Sequence, residues 1–427
     1  MAYSFEEGRA FAQELDAHDP LRQARDRFYL NDGELYMDGN SLVLCSKDAE
    51  QAVLRVLEAW KTNGISIWSM EDGKYFRYPS LLGALTAPLI NADPEEVTVT
   101  NSTTVNIHQC IATFYHPTRT RYKILVDDLN FPTDRYAVDS QVKLHGYDPA
   151  DAVKTVHSAD GRTLCENSIV DAMTDDVALI LLPSVLYRSA QLLDMAYITA
   201  QARERDIRIG WDLCHSIGSV PHDFKKIDPD FAVWCTYKYL SGGPGSIAGL
   251  FISKKHFTLQ PGLAGWFGNR KATQFQLKHQ YEHSNDADGW LTGTQPLLSM
   301  AGLEGTLHIF REIGIAGIRE KSLCLTAYMM DLIDRRLVKY GCSIGNPRED
   351  AKRGGHVALE HAEAYRICQS LKAHGVIPDF REPNVVRLAP VALYVSYQDV
   401  YRLVDILEEI LRTKAYEKFD NTRTQVV

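Results

Sequence analysis

The sequence has no apolar run of the roughly 18 residues that a membrane-spanning helix needs, and it has no long block of lysines and arginines. Its formal net charge is -9, so it also lacks the basic balance with which proteins hold nucleic-acid phosphates. The opening segment MAYSFEEGRA is acidic and lacks the apolar core of a secretory signal. These absences predict a cytoplasmic protein that binds neither membranes nor nucleic acid.

Paired cysteines and metal-ligand spacings are absent as well. The eight cysteines form no CxxC pair, and without an export signal they are expected to be reduced thiols. Four histidines, His108, His215, His279 and His283, show no spacing typical of metal ligands. The sequence therefore predicts no metal site.

What the sequence does contain is an alternation of strand-like and helix-like patterns. The 427 residues exceed what one hydrophobic core usually organises, so two lobes are expected. Alternation from about residue 96 to 253 predicts an α/β domain with a mostly parallel sheet. The last third predicts a smaller α+β domain. We assign 1–50 to an N-terminal arm that associates with the small domain, 51–300 to the large domain and 301–427 to the small C-terminal domain.

The individual elements follow from apolar periodicity. The predicted strands are 96–100, 123–128, 177–185, 208–213, 231–237, 249–253, 356–360, 376–380 and 385–388. The predicted helices are 105–115, 133–144, 194–206, 362–374, a long segment over 301–340 and a last helix that begins at Ser396. Ser396 and Asp399 have the spacing of a capping box for that last helix.

Three polar features fall at or just after predicted strand ends, where ligands bind in parallel sheets. They are Asp212, Lys238 and the segment 101–104, which precedes a helix. Taken singly, they are ordinary: a solvated lysine, a helix-capping aspartate and an N-cap. Together they match pyridoxal 5'-phosphate (PLP), which needs a lysine for an imine, an acid to protonate its pyridine nitrogen and a phosphate cradle.

A dinucleotide site is the main competing interpretation. Gly243, Gly245 and Ala248 spell the G-x-G-x-x-A pattern. That pattern must follow a strand and open a helix, whereas here it leads into the predicted strand 249–253. We interpret these glycines as the turn after Lys238.

Around these residues the sequence resembles the kynureninase family, homodimeric PLP enzymes with the aspartate-aminotransferase fold (PLP fold type I). The resemblance runs over nearly the whole chain. Its most specific segments are DGNSL (38–42), STTVN (102–106), FPTDRY (131–136), WDLCHSIG (211–218), WCTYKYLSGGPGSIAG (234–249), GWFG (265–268), GTQP (293–296) and RLAPVALY (387–394). It implies hydrolytic Cβ–Cγ cleavage of L-kynurenine or 3-hydroxykynurenine to anthranilate and L-alanine.

The resemblance also implies a role for each matching residue. Lys238 would form the imine and move the α-proton, Asp212 would pair with the pyridine nitrogen beside His215, and Tyr237 would bind phosphate and donate a proton. The other implied cofactor contacts are Phe131 and Asp134 at the ring, Thr103 and Thr104 at the phosphate, and Trp266 and Thr294 reaching in from the neighbouring subunit. The implied substrate contacts are Arg387 to the α-carboxylate, with Ser41 and Trp68 facing the substrate side chain.

Departures from the family pattern fall on the presumed substrate side. Val43, Ile67 and Ala190 stand where the family usually has glycine, Gly73-Lys74-Tyr75 replaces a bacterial His-Pro-Trp segment, and Val395 replaces an asparagine. The larger side chains fill space and restrict the backbone, so they predict a reshaped pocket if they point inward. The other interpretation is sequence drift at these positions, in loops whose backbone never needed the positive φ that glycine permits.

Two further functions therefore stay open beside kynurenine cleavage. One is a diverged enzyme acting on another β-substituted amino acid, by C–S β-elimination or by decarboxylative deamination as in lincosamide biosynthesis. The other is a PLP-binding protein without turnover.

Overall fold

The computed structural model describes residues 3–422, and helices and strands alternate along most of them. The helices are α1 (Arg9–Ala17), α2 (Lys47–Asn63), α3 (Tyr78–Thr86), α4 (Thr103–Phe114), α5 (Pro132–Leu144), α6 (Pro149–Ala152), α7 (Glu166–Asp171), α8 (Met195–Glu204), α9 (Phe224–Ile227), α10 (Leu297–Ile313), α11 (Ile315–Arg336), α12 (Ala364–Ala373) and α13 (Tyr397–Thr413). The strands are β1 (Leu35–Tyr36), β2 (Val97–Val99), β3 (Lys123–Asp127), β4 (Val153–Val156), β5 (Val177–Pro183), β6 (Arg208–Asp212), β7 (Phe231–Trp234), β8 (Gly249–Ile252), β9 (Ser343–Ile344), β10 (Val357–Glu360), β11 (Val376–Ile377), β12 (Asp379–Arg381) and β13 (Val385–Leu388).

A seven-stranded sheet organises the large lobe, in the order β2-β8-β7-β6-β5-β3-β4. Strands β3 to β7 run parallel, and β8 is antiparallel to both of its neighbours, β7 and β2. The continuous apolar run VALILLP forms β5, which is buried at all but one position because helices cover both faces of the sheet. The prediction of an α/β fold with a mostly parallel sheet is confirmed.

A four-stranded antiparallel sheet, β12-β13-β10-β9, lies in the C-terminal region. The N-terminal segment packs against this region, because β1 pairs with β11 and α1 contacts α13. The carboxylate of Asp16 accepts hydrogen bonds from the Tyr397 and Gln398 backbone N–H groups at 2.7 and 3.1 Å and so caps α13. The assigned boundary at residue 300 falls inside α10, which packs against α2 of the large lobe.

Two predicted elements are divided in the structure. The long helical segment 301–340 is two helices, because Gly314 takes a φ of 80° between α10 and α11. The strand predicted over 376–380 is split between β11 and β12, which belong to different sheets. The capping box at Ser396 and Asp399 is present with both hydrogen bonds at 3.0 Å.

The sequence Gly243 to Ala248 leads directly into β8, as the turn interpretation requires, and opens no helix. Within residues 3–422, no helix is long and apolar enough to cross a membrane.

We expect Gly305→Ala to weaken the contact between α10 and α2. A Cβ at Gly305 would lie 2.2 Å from the Asp48 carbonyl oxygen, so one helix must move. Overpacking of this kind lowers the free energy of unfolding by about 1–3 kcal/mol, measured by urea denaturation. Gly317→Ala in α11 is the matched control, because its Cβ would meet nothing within 4 Å. Equal stability of Gly305→Ala and the wild type would contradict this packing.

Candidate active site

A cavity of about 360 Å³ opens where the carboxyl ends of the parallel strands face the small antiparallel sheet. Lys238 follows β7, Asp212 ends β6, and Thr103 begins the helix that follows β2. The opposite wall comes from Arg381 and Arg387 on β12 and β13. Residues that are far apart in sequence therefore meet because strand ends converge at one edge of the sheet.

The Lys238 amine lies 2.8 Å from Nε2 of His215. Burial lowers the pKa of His215 well below its usual value, and the Lys238 charge lowers this pKa further. The imidazole is therefore neutral, with Nε2 accepting from the lysine. Its other nitrogen, Nδ1, is buried without a hydrogen-bond partner among the described residues.

Two carboxylates line the cavity beside this lysine. Asp212 accepts a 2.7 Å hydrogen bond from the Cys214 backbone N–H, and Asp134 accepts one at 2.7 Å from the Asn130 amide. Burial raises the pKa of both carboxyls, and the charge of Asp212 raises the pKa of Asp134 further. The second oxygen of Asp134 is buried without a partner among the described residues. The pair is arranged to receive a polar, positively charged group.

Two helix N-termini meet at another wall of the cavity. Helix α4 begins at Thr103 after the N-cap Ser102, and α5 begins after Phe131. The hydroxyls of Thr104 and Thr133 lie 2.8 Å apart and so join the two helix ends. Free N–H groups and hydroxyls at such an end bind phosphate well.

The far end of the cavity holds a buried arginine. Arg387 donates through Nε to Asp379 at 2.7 Å and through Nη2 to the same carboxylate oxygen. It also donates to the Tyr187 carbonyl at 2.9 Å and to the Ser41 hydroxyl at 3.0 Å. These four contacts fix the plane of the guanidinium and use four of its five N–H groups, which leaves one Nη1 N–H for a further acceptor.

Ten of the residues that the sequence nominates line this one cavity. They are Ser41, Thr103, Thr104, Phe131, Asp134, Asp212, His215, Tyr237, Lys238 and Arg387. Phe131 is 44% exposed, and its ring meets that of Tyr187 edge-on at 5.6 Å.

The other three nominated residues lie elsewhere in the same chain. Trp68 and Thr294 line a separate, mostly apolar groove of about 510 Å³, together with Ile67. Trp266 is 41% exposed and packs edge-on against Phe275. A single chain therefore does not bring these three residues to the cavity.

Sequence reasoning missed several lining residues, among them Asn40, Tyr187, Cys214 and Arg381. For Arg381 the sequence offered only the alternation of a strand, which puts Asp379 and Arg381 on one face; the structure adds that Asp379 lies directly opposite Arg387. Tyr187 comes shortly after the end of β5. Asp212 and Lys238 were nominated because they lie at or just after strand ends, so the same criterion applied to Tyr187.

The positions that depart from the family pattern do not line the cavity. Val43 and Ile67 are 5% and 4% exposed and pack in the hydrophobic core. Ala190 is fully buried and has a φ of 57°, so the loop does need a left-handed residue there. The interpretation that none of these loops required a positive φ is wrong at Ala190.

Solved structures share this fold. Apo cysteine desulfurase from Thermococcus onnurineus NA1 superposes with a TM-score of 0.78 at 18% identity, over 92% of this chain and 98% of that chain. A C-DES variant with glycine covalently linked to its PLP cofactor superposes with a TM-score of 0.77 at 16% identity, over 90% and 99% of the two chains. The fold is that of the PLP-dependent enzymes of fold type I.

Sequence comparison gives the family within this class. Residues 318–407 match the kynureninase C-terminal domain. Kynureninases from Bacillus thuringiensis subsp. konkukian and Geobacillus thermodenitrificans are 56% and 53% identical to this chain, and each alignment covers 97% of both proteins. The chain belongs to the kynureninase family, which confirms the resemblance seen in its motifs.

We expect Ile67→Gly to reduce stability without improving catalysis. The Ile67 side chain is buried in the core and does not line the cavity, so its removal leaves a void without enlarging that cavity. The free energy of unfolding should fall by at least about 2 kcal/mol in chemical denaturation. A lower KM for the amino-acid substrate in this variant would show instead that Ile67 restricts the pocket.

Proposed function

We propose that this protein is a PLP-dependent hydrolase that cleaves the Cβ–Cγ bond of L-kynurenine, or of 3-hydroxykynurenine, to give anthranilate and L-alanine. The observation with most weight is the single cavity in which Lys238, Asp212 and the N-terminus of α4 meet, in a chain 56% identical to a kynureninase.

The residues present fit PLP. Thr103, Thr104 and Tyr237 would hold its phosphate at the start of α4, and Phe131 would stack on its ring. Asp212 would pair with the pyridine nitrogen. The buried, unpartnered Nδ1 of His215 and Oδ1 of Asp134 need polar partners, which a bound cofactor supplies.

When bound, PLP acts as an electron sink for the negative charge that develops on the substrate carbons. Asp212 would assist this by staying ionised and pairing with the ring nitrogen, because a positive partner offsets part of the cost of burying its charge. The protein's own part is therefore to hold charges in place and to move protons.

Lys238 and Tyr237 are the proton carriers. Lys238 would take the proton from the substrate α-carbon and return it to the product. Burial raises the pKa of the Tyr237 phenol, and the neighbouring thiols of Cys235 and Cys214 raise it further. Tyr237 therefore stays protonated near neutral pH and can donate a proton as the hydrated γ-ketone breaks down.

Arg387 would bind the substrate α-carboxylate. Its guanidinium is 1% exposed and already fixed by Asp379, so little freedom is lost when the carboxylate binds. Ser41 stands beside it and contributes a hydroxyl. Trp68 remains a proposed contact for the substrate side chain.

A homodimer with shared active sites belongs to the same proposal. Trp60 and Ile65 are 57% and 82% exposed next to the groove that holds Trp68 and Thr294. Exposed apolar groups gathered in this way are typical of protein interfaces. A neighbouring subunit could place Trp266 and Thr294 at the cavity. We further propose a cytoplasmic location and a role in tryptophan catabolism.

The proposed reaction is tested by incubating the PLP-loaded protein with L-kynurenine and, separately, with an S-alkyl cysteine. We expect anthranilate from the first, measured by fluorescence, and no pyruvate from the second. Lys238→Ala should reduce turnover more than about 10³-fold, since it removes an acid–base group as well as the covalent link to PLP. Pyruvate without anthranilate would replace the proposal with C–S β-elimination.

Sharing of sites is tested by mixing two inactive variants, Lys238→Ala and Trp266→Ala. If Trp266 acts in the partner's cavity, a mixed dimer has one cavity with both residues intact. Random pairing of equal amounts should then recover about a quarter of the wild-type activity. If Trp266 acted within its own chain, mixing would recover nothing.

A further inference from the structure

The carboxylate-recognition end of the cavity contains more charge than one arginine. Asp379 accepts hydrogen bonds from Arg387 and also forms an ion pair with Arg381, whose Nη2 lies 3.1 Å from the same carboxylate oxygen. Arg381 lines the cavity, as Arg387 does. We call Asp38, Asp379, Arg381 and Arg387 the charge cluster.

The register of β12 and β13 creates this cluster. Asp379 lies opposite Arg387 in the antiparallel pair, and Arg381 lies two residues further along β12, so all three side chains leave the same face of the sheet. Asp38 lies in the segment that follows β1 and is joined to β13 through a bridge between Asp38 and Ala389.

A charge count indicates why two arginines are present. Asp379 neutralises Arg387, to which it is bound through two N–H groups. Asp38 adds a second negative charge once it is ionised, and burial, followed by repulsion from Asp379, raises its pKa to about 6. With Arg387 alone, the ionised cluster would have an excess of negative charge and would repel a substrate carboxylate. Arg381 adds a second positive charge, so the four charges cancel and the cluster does not repel the carboxylate.

Arg381 also has an unused donor. Its Nε is buried without a hydrogen-bond partner among the described residues, and its side chain is 22% exposed at the cavity. Burial lowers the pKa of Arg381, and the nearby charge of Arg387 lowers it further. The attraction of a bound anion would offset both effects.

We propose that Arg381 is a specificity-determining residue that cancels the second negative charge of the cluster, so that the substrate α-carboxylate is not repelled, while Asp379 is a positioning residue that holds Arg387. The inference rests on the proposed function only in placing an amino-acid carboxylate at Arg387. It does not depend on which bond the enzyme cleaves.

The test compares two ligands that differ only in the carboxylate. Calorimetric titration of the PLP-loaded enzyme at pH 8 with L-alanine and with ethylamine gives both dissociation constants without any turnover. Arg381→Gln should weaken L-alanine binding by about tenfold or more, because a buried charge partner is lost, and should leave ethylamine within about twofold. Arg381→Lys, which keeps the charge, should stay within about threefold of the wild type for L-alanine.

Arg348→Gln is the matched control, since its guanidinium is 52% exposed and pairs with Asp334 at the surface. Unchanged L-alanine binding in Arg381→Gln, or equal weakening of the binding of both ligands, would overturn the proposal.

If Arg381→Gln does not fold, Asp38→Asn tests the same charge count with the opposite sign. Asp38→Asn should tighten L-alanine binding at pH 8, and an unchanged dissociation constant would overturn the proposal. Failure of kynurenine cleavage alongside carboxylate-dependent binding would remove the proposed reaction and leave this inference standing.

Discussion

The compensation of buried charge at the carboxyl edge of the parallel sheet constrains the whole active site. Asp212, Asp134 and Lys238 lie together where little water reaches them, and an isolated charge in such a place is costly. The lysine offsets part of the negative charge, and the neutral His215 beside it adds none. A cationic ring nitrogen would complete the balance, which is a physical argument for the proposal that the cofactor binds here.

The same constraint joins three regions of the chain. Arg387 comes from the small sheet, yet its guanidinium is held by the Tyr187 carbonyl of the large lobe and by Ser41 of the N-terminal segment. Since a buried guanidinium needs acceptors on every edge, these contacts fix how the small sheet meets the large one. The proposed substrate recognition and one contact between these three regions therefore use the same side chain.

Asp212, Lys238 and the segment 101–104 could be selected from the sequence by local patterns, whereas the other proposed cofactor contacts came from the family resemblance. A buried strand such as β5, and strand ends such as Asp212 and Lys238, are visible as apolar runs that stop at polar residues. Arg381 and Asp379 could not be found in this way, because their importance comes from pairing across β12 and β13. The division of the helical segment at Gly314 was missed because one glycine within a helical pattern is often tolerated.

Of the positions that depart from the expected family pattern, Ala190 affects the site through the backbone, because it is the one with a positive φ among Val43, Ile67 and Ala190. The backbone of Ala190 has a left-handed conformation, with a φ of 57°. Its carbonyl accepts a 2.7 Å hydrogen bond from the Gly354 N–H, and the residue lies three positions after Tyr187. The loop thus ties the end of β5 to the segment before β10 and fixes the Tyr187 carbonyl that holds Arg387. An alanine at a left-handed position costs about 1–2 kcal/mol relative to the right-handed region. A buried loop with bonds at both ends can hold that conformation. The substitution therefore leaves the cavity walls as they are, and the geometry at Arg387 depends on this loop as much as on Arg387 itself.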